Sequence, residues 1–154
     1  MRKYLFKAKR KDDNEWVEGF YYESLISGCY ILSPKIKTRK RDGLVVGDTF
    51  DVHEVIPDTV REYIGRVDDN GNKIFEGDIL NANIDGMYDW HKGYVQYKYS
   101  QYKLNIYYDP IYSELRQYPQ PPDLINIPVQ CHVIGNIYDN PNLIRKDKTT
   151  EDLL

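Results

Sequence analysis

Apolar side chains recur at every second position along much of this chain, and almost nowhere at every third or fourth position. Near the start, Phe6 and Ala8 alternate with Lys7 and Lys9. Successive side chains of a strand point to opposite faces, so this period of two predicts β-strands. The clearest later runs lie at residues 95–99, 102–108 and 129–133. Short runs with turn residues between them predict an antiparallel meander or a small barrel.

Turn residues mark where these strands reverse. Residues 12–14, Asp-Asp-Asn, predict a turn between the first strand and a returning strand at residues 16–22. Asn70-Gly71 is the strongest hairpin signal, because both central residues of a type I′ turn need a positive φ. The Pro-Asp-Thr sequence at 57–59 predicts one helical turn. We therefore expect an all-β, mainly antiparallel fold with at most one or two helical turns.

Polar segments interrupt the alternation at residues 33–48, 109–128 and 145–154. The first two predict long polar loops, and the last predicts a frayed, charged tail. The chain has 154 residues, which suits one domain of ordinary size. Residues 1–144 are therefore expected to form either one domain or two β lobes with a seam near Gly65.

Composition adds to the β prediction and narrows the environment. Tyrosine occupies 15 positions and suits a pleated, half-buried surface. A net charge of −3 with mixed signs gives no overall attraction to nucleic acid or membrane. Two cysteines are too few for a disulfide framework, and no segment approaches the length of a membrane span. We expect a soluble, cytoplasmic protein with reduced thiols and no membrane contact.

Two ordered segments carry a family resemblance. Residues 57–60, 63–65 and 69–79 read Pro-Asp-Thr-Val, Tyr-Ile-Gly and Asp-Asn-Gly-Asn-Lys-Ile-Phe-Glu-Gly-Asp-Ile. Residues 133–143 read Val-Ile-Gly-Asn-Ile-Tyr-Asp-Asn-Pro-Asn-Leu. These segments resemble the two signatures of the YopX family, whose members come from phages and prophages of Gram-positive bacteria. The resemblance implies a predominantly β fold and a phage context, and it brings no established activity and no catalytic residues.

Glu76, Gly77 and Asp78 form the segment most suggestive of chemistry. Residues two apart share a face of a strand, so the two carboxylates could converge on a metal ion or act as an acid–base pair. Alternatively, Gly77 provides a bulge or bend, and the carboxylates accept backbone N–H bonds around it. We favour the structural interpretation, because nothing nearby supplies the third and fourth ligands of a metal.

A calcium loop is excluded in the preceding turn. Asp68, Asn70 and Asn72 occupy alternate positions, like the first three ligands of such a loop. Lys73, however, stands where the loop requires glycine, and Ile79 stands where the bidentate glutamate belongs. We expect no cofactor or metal in this protein.

The second signature predicts backbone roles. In the pair Gly135-Asn136 the glycine permits a bend, and in the pair Asn140-Pro141 the proline keeps Asn140 extended and stops the strand. Either cysteine, Cys29 or Cys131, could act as a nucleophile with His132 as its base, but Cys131 lies on the apolar side of its strand. A buried, inert thiol is the favoured interpretation.

One stretch is strongly basic. Five cations fall within seven residues: Lys35, Lys37, Arg39, Lys40 and Arg41. Cations that neutralise phosphates release counterions, so this stretch is a candidate contact for a polyanion. The alternative is an ordinary solvated loop of a slightly acidic protein.

The segment 86–93 is the candidate protein interface. It contains Tyr88 and Trp90, and exposed aromatic residues of this kind are enriched at interfaces. Packing over the end of a barrel would explain them equally well.

These observations favour a non-enzymatic phage accessory protein. Its β scaffold would associate with another protein or with copies of itself, and a homo-oligomer is expected. The alternative is a nucleic-acid-binding module of phage replication or regulation that uses residues 35–41. A metal-dependent hydrolase with Glu76 and Asp78 as ligands is the least favoured hypothesis.

Overall fold

The computed structural model describes residues 4–35, 40–41, 44–45, 49–83, 90–107 and 124–144. Within these residues it consists of antiparallel strands and two short 3-10 helices, which confirms the predicted all-β fold. The chain divides into two compact units, Met1–Tyr63 and Ile64–Leu154. Residues 109–123 of the predicted polar loop, and the predicted tail at 145–154, lie outside the described residues.

The first unit contains an antiparallel sheet and a separate two-stranded pair. Its strands are β1 (Phe6–Lys9), β2 (Trp16–Ser24), β3 (Gly28–Lys35), β4 (Lys40–Arg41), β5 (Leu44–Val45) and β6 (Thr49–Glu54). A 3-10 helix at Pro57–Thr59 confirms the predicted helical turn, and β7 (Arg61–Val67) follows and continues into the second unit. The strands lie in the order β6-β3-β2-β1-β7, while β4 pairs with β5.

The predicted first hairpin is present. Asn14 has a φ of 63°, a left-handed conformation that asparagine tolerates well, so the chain can reverse between β1 and β2. One face of the sheet then buries the core of this unit. The buried apolar residues are Ala8, Cys29, Ile31 and Val55, with Phe6, Val17, Tyr21 and Val60 packed against them.

The second unit is a five-stranded antiparallel sheet. After β8 (Lys73–Phe75) come β9 (Asp78–Asn83), β10 (Trp90–Lys98), β11 (Gln101–Tyr107), β12 (Leu124–Asn126) and β13 (Cys131–Asn136), and a 3-10 helix at Pro141–Ile144 ends the described chain. The order in the sheet is β12-β11-β10-β9-β13, so successive hairpins build most of it, as expected for a meander. No closed barrel is found among the described strands.

The core of the second unit surrounds the central strand β9. Leu80 and Ala82 are buried in one cluster with residues from each neighbouring strand, while Ile79 is also fully buried. The remaining members of the cluster are Ile74, Val95, Leu104, Ile106 and Cys131. Because β9 is buried along most of its length, the side chains around it have little freedom.

The predicted type I′ turn at Asn70-Gly71 is wrong in its details. The Gly71 N–H donates to the Asp68 carbonyl at 3.0 Å, so Asp69 and Asn70 are the central residues. Of these positions only Gly71 has a positive φ, at 81°, so the glycine follows the turn rather than forming its centre. A bulge after the turn explains this arrangement, because a left-handed glycine at that place restores the strand pairing.

The two-residue I′ geometry lies instead between β10 and β11. Tyr99 and Ser100 connect the paired residues Lys98 and Gln101, and their φ angles are 53° and 61°. A tyrosine is an uncommon choice there, because a side chain disfavours the left-handed region. The alternation in the sequence predicted both strands, but it did not predict that Tyr99 and Ser100 form the turn between them.

The run predicted at 129–133 begins too early. Val129 and Gln130 lie in a bend, and β13 starts only at Cys131. The Arg66 guanidinium donates to the carbonyls of Ile127 and Pro128, each at 2.8 Å, just before this bend. Among the described residues, no helix has the length and apolar character needed to cross a membrane.

Candidate functional site

Asp68 immediately precedes residues 69–79 of the first signature and binds their backbone. Its Oδ1 accepts the N–H groups of Asn70 and Asn72 at 2.9 and 2.8 Å. Its Oδ2 accepts the Asn72 amide at 3.1 Å and the N–H of Val133 at 2.9 Å. Because Val133 belongs to the second signature, this one carboxylate joins the two signatures within the second unit.

The environment of Asp68 favours its charged form. Burial of the carboxylate is the largest single influence and opposes ionisation. The hydrogen bonds from Val133, Asn72 and Asn70 together outweigh it, so the pKa of Asp68 lies below its usual value. Sequence analysis missed this role, because the Val133 N–H donor lies 65 positions away along the chain.

Glu76 and Asp78 also bind backbone donors. The Asp78 Oδ2 accepts the N–H of Phe75 at 2.8 Å, and the Glu76 Oε1 accepts the N–H of Tyr97 at 3.2 Å. Between them, Gly77 has a φ of 81°, a conformation that side chains rarely adopt. This is the geometry that the bend interpretation describes. The two carboxylates therefore bind backbone N–H groups around the bend.

Close packing surrounds the bend. A Cβ on Gly77 would lie 3.3 Å from the side chains of Ile137 and Tyr138. The Gly77 carbonyl accepts the N–H of Ile137 at 2.9 Å, and its own N–H donates to the Val95 carbonyl at 2.7 Å. The bend thus fixes the position of the chain that follows β13.

The second signature is a compact turn of side chain-to-backbone bonds. The Asn136 Oδ1 accepts the N–H groups of Tyr138 and Asp139, both at 3.0 Å. The Asn140 Oδ1 in turn accepts the Asn136 N–H at 3.2 Å. Asn140 lies so close to Gly135 that a Cβ there would be 2.5 Å from its Oδ1. The glycine is needed for this close approach.

Pro141 differs from its predicted role. The strand β13 already ends at Asn136, so Pro141 does not stop it. Pro141 instead opens the 3-10 helix Pro141–Ile144, where its fixed φ suits the first position. The prediction was wrong because the asparagine side chains had already turned the chain.

No cluster of three or more potential metal ligands occurs among the described residues. The cysteines are buried, as predicted for Cys131, and burial raises the pKa of the Cys131 thiol. The fold thus brings the signature residues together, and their side chains bind mainly to backbone N–H groups. Such an arrangement can hold a loop in position.

Trp90 lies on the surface of the second unit. Its ring stacks on His132 with centroids 5.1 Å apart and an angle of 12° between the planes, and it remains 41% exposed. The His132 Nε2 lies 3.9 Å from the Asp69 carboxylate, and its Nδ1 lies 3.4 Å from the Asn70 amide. Tyr88 lies outside the described residues.

The basic stretch is described only in part. The Lys35 ammonium donates to Asp51 at 2.7 Å, so this cation already has an acidic neighbour. Lys40 and Arg41 form β4, of which only the backbone is described, and Lys37 and Arg39 lie outside the described residues.

A large apolar surface on the first unit was missed by the sequence analysis. Its members lie on β2, β6 and the β2–β3 turn, and we call them the outer face: Phe20, Tyr22, Leu25, Ile26, Phe50 and Val52. Leu25 and Ile26 are exposed by 103% and 98%, and Ser24 holds their turn by accepting the N–H groups of Ile26 and Ser27. The Phe20 and Phe50 rings meet edge to face at 6.2 Å.

The register of the strands makes the outer face continuous. Phe20 pairs with Leu32, which pairs with Val52, while Tyr22 pairs with Tyr30 on the same side. The opposite side of β3 carries Cys29 and Ile31, which are buried in the core. The sequence places aromatic residues on both sides of β2. Because only one side of the sheet packs against the core, this pattern could have indicated an exposed aromatic surface on the other side.

These features define an antiparallel all-β protein whose signature carboxylates and asparagines organise backbone. Residues 5–145 match the family model described as YopX protein, and the chain belongs to that family, as the sequence resemblance implied. Among solved structures, the chain is similar to protein EF1440 from Enterococcus faecalis at 20% identity and a TM-score of 0.48. That match covers 94% of this chain and 100% of the other. No curated protein matches the chain.

Proposed function

We propose that this YopX protein is a non-enzymatic accessory protein of a phage or prophage, whose β scaffold associates with a second copy of itself through the first unit. The observation that carries the proposal is the outer face. Isolated apolar residues are common on protein surfaces, but a continuous patch of aromatic and aliphatic side chains is typical of an interaction site. Fully exposed Leu25 and Ile26 add two anchors at its end.

The chemistry of the signatures supports a scaffold rather than an enzyme. Asp68, Glu76 and Asp78 each accept backbone N–H groups. A catalytic carboxylate would instead face a substrate within hydrogen-bond reach. The phage context rests on the family to which the chain belongs.

The test is the mass in solution over a range of concentration. Analytical ultracentrifugation of the wild-type chain should give a species of about twice 18.2 kDa at high concentration. Replacing Leu25 and Ile26 with serine, together with Phe50→Ser, should shift the protein toward monomer without lowering its unfolding midpoint. Val129→Ser is the matched control, because Val129 is equally apolar and 83% exposed on the second unit.

A monomer at all concentrations would overturn self-association, and loss of the dimer in the Val129→Ser control would overturn the assignment to the outer face. Trp90→Ala belongs in the same series, since the sequence predicted Tyr88 and Trp90 as the interface. Dimer loss in that variant alone would move the interface to the second unit.

One observation favours the nucleic-acid alternative. Lys7 and Lys9 place their ammonium groups 5.6 and 5.4 Å from the centre of the Trp16 ring. These cations add positive charge to the unit that also contains the basic stretch 35–41. Fluorescence anisotropy with single-stranded DNA and RNA at low and high salt tests this function. Binding that weakens when Lys35, Lys40 and Arg41 become serine would support it, and no binding at low salt would exclude it.

A further inference from the structure

The strand β6 forms an edge of the first unit's sheet. Among the strands that the structure describes, β3 pairs with one side of β6, and the other side ends the order β6-β3-β2-β1-β7. Only the end of this open side is covered by described residues, because Lys11 donates its N–H to the Glu54 carbonyl at 3.0 Å and Arg10 bridges to Val55. With respect to the described residues, the open edge therefore extends from Thr49 to His53.

The direction of the backbone groups along this edge follows from the bonds of β6. The Glu54 carbonyl points away from β3, because it accepts from Lys11, while the Val55 N–H points toward β3 and donates to Cys29 at 3.0 Å. Alternation along a strand then directs the N–H and C=O groups of Phe50 and Val52 outward. An edge of this kind is a template for another strand, and residues 49–53 include neither lysine nor proline to protect it.

We propose that two copies of this chain associate by antiparallel pairing of their β6 strands, with the two-fold axis at Asp51. This inference rests on the self-association proposed above and specifies its geometry. Phe50 of each copy lies opposite Val52 of the other, and these pairs exchange four backbone hydrogen bonds. The two sheets become one, and the two outer faces join along Phe50 and Val52.

The side chains of the open edge fit this register. Phe50 and Val52 lie on the outer face, so the register forms two apolar cross-strand pairs. On the other side, the two Asp51 carboxylates face each other, which by itself would be unfavourable. Each already accepts a hydrogen bond from Lys35 at 2.7 Å, so two ammonium groups balance two carboxylates at the axis.

The neighbouring register is blocked. An axis at Val52 would place Phe50 of the second copy beside Glu54, where Lys11 already pairs. An axis at Asp51 uses only the five residues of the open edge. Coverage by Arg10 and Lys11 therefore excludes an axis at Val52, while an axis at Phe50 would require residue 48, which precedes β6.

The first test is Val52→Pro, with Val52→Ala as its matched control. Proline removes an outward N–H and leaves the bonds of β6 to β3 intact, so the fold should survive. The dissociation constant of the dimer should rise at least about tenfold in Val52→Pro and only about twofold to threefold in Val52→Ala. Circular dichroism and the thermal midpoint verify folding.

Equal weakening by both variants would overturn edge pairing while leaving association through the outer face intact. A monomeric wild type would overturn both proposals, so the two failures are distinguishable.

The second test is a disulfide at the axis. Asp51 occupies a non-hydrogen-bonded pair, where Cα atoms lie about 4.5 Å apart, within the range that a disulfide spans. Asp51→Cys should cross-link to a dimer on mild oxidation much faster than the control Val129→Cys. Cys29 and Cys131 do not interfere, because both are buried. Cross-linking at the same rate in both variants would overturn the proposed axis.

Discussion

Asp68 in the second unit and Phe50 in the first each occupy a place that their chemistry disfavours. The Asp68 carboxylate is 5% exposed, although a buried charge is costly, and the Phe50 ring is 43% exposed, although an apolar ring in water is unfavourable. Asp68 is compensated inside the chain by four hydrogen bonds. Phe50 has an edge-to-face contact with Phe20 and otherwise leaves much of its ring in water.

The difference separates structure from interaction. A disfavoured group that is fully compensated within the chain maintains the fold, as the signature residues of the second unit do. An exposed apolar group that is only partly covered within the chain is stabilised when a partner covers it, as we propose for the outer face. The signature residues from 69 onward and the proposed binding surface therefore lie in different units of the same chain.

The largest effect is expected from Asp68→Ala. The change leaves the N–H groups of Asn72 and Val133 without their acceptor in a buried place, and it separates the two signatures. The free energy of unfolding should fall by about 3 kcal/mol, measured by urea denaturation. Asp69→Ala is the control, because its carboxylate is 38% exposed and should cost below about 0.5 kcal/mol. Equal losses in the two variants would contradict the assigned role of Asp68.

Gly77→Ala should cost somewhat less, about 2 kcal/mol. The alanine must adopt a left-handed backbone conformation, and its Cβ lies 3.3 Å from the side chains of Ile137 and Tyr138. Gly65→Ala separates these causes, because Gly65 has a φ of 86° but no described atom within 4 Å of the place that its new methyl group would occupy. Its cost should be about 1 kcal/mol, from the backbone alone. A Gly65→Ala cost as large as that of Gly77→Ala would show that packing around the bend is unimportant.

The charge of Asp68 predicts a pH dependence. Its pKa is lowered in the folded chain, so its stabilising contribution is complete above the unfolded value of about 3.9 and is lost as pH falls through the folded value. Below about pH 4 the free energy of unfolding should therefore fall more steeply for the wild type than for Asp68→Asn, which cannot ionise. Asp13 also has a lowered pKa, but it is present in both proteins and cancels in the comparison. Parallel curves would contradict the role of the charge.

The sequence alone predicted the strands and much of the backbone role of the signatures. It did not predict roles that depend on contacts between residues far apart along the chain. Alternation located β10 and β11, and glycine between two carboxylates indicated the bend at Gly77. The role of Asp68 depends on Val133, a contact that local spacing does not reveal. The outer face was missed for a related reason, because alternation shows that Phe20 and Tyr21 lie on opposite sides but not which side has a core.

The smallest effect is expected at the turn between β10 and β11, which can be compared with the β2–β3 turn of the first unit. Tyr99 and Ser100 both have positive φ, which asparagine and glycine adopt at lower cost. Tyr99→Asn with Ser100→Gly should therefore raise the free energy of unfolding by about 1 kcal/mol, less a small loss from the Lys98 contact at 5.4 Å from the Tyr99 ring. Leu25→Asn with Ile26→Gly is the matched control in the first unit, since neither residue has a positive φ. An equal gain in the control would show that polarity rather than backbone conformation causes the change, and no gain at Tyr99 and Ser100 would show that their strain is compensated elsewhere.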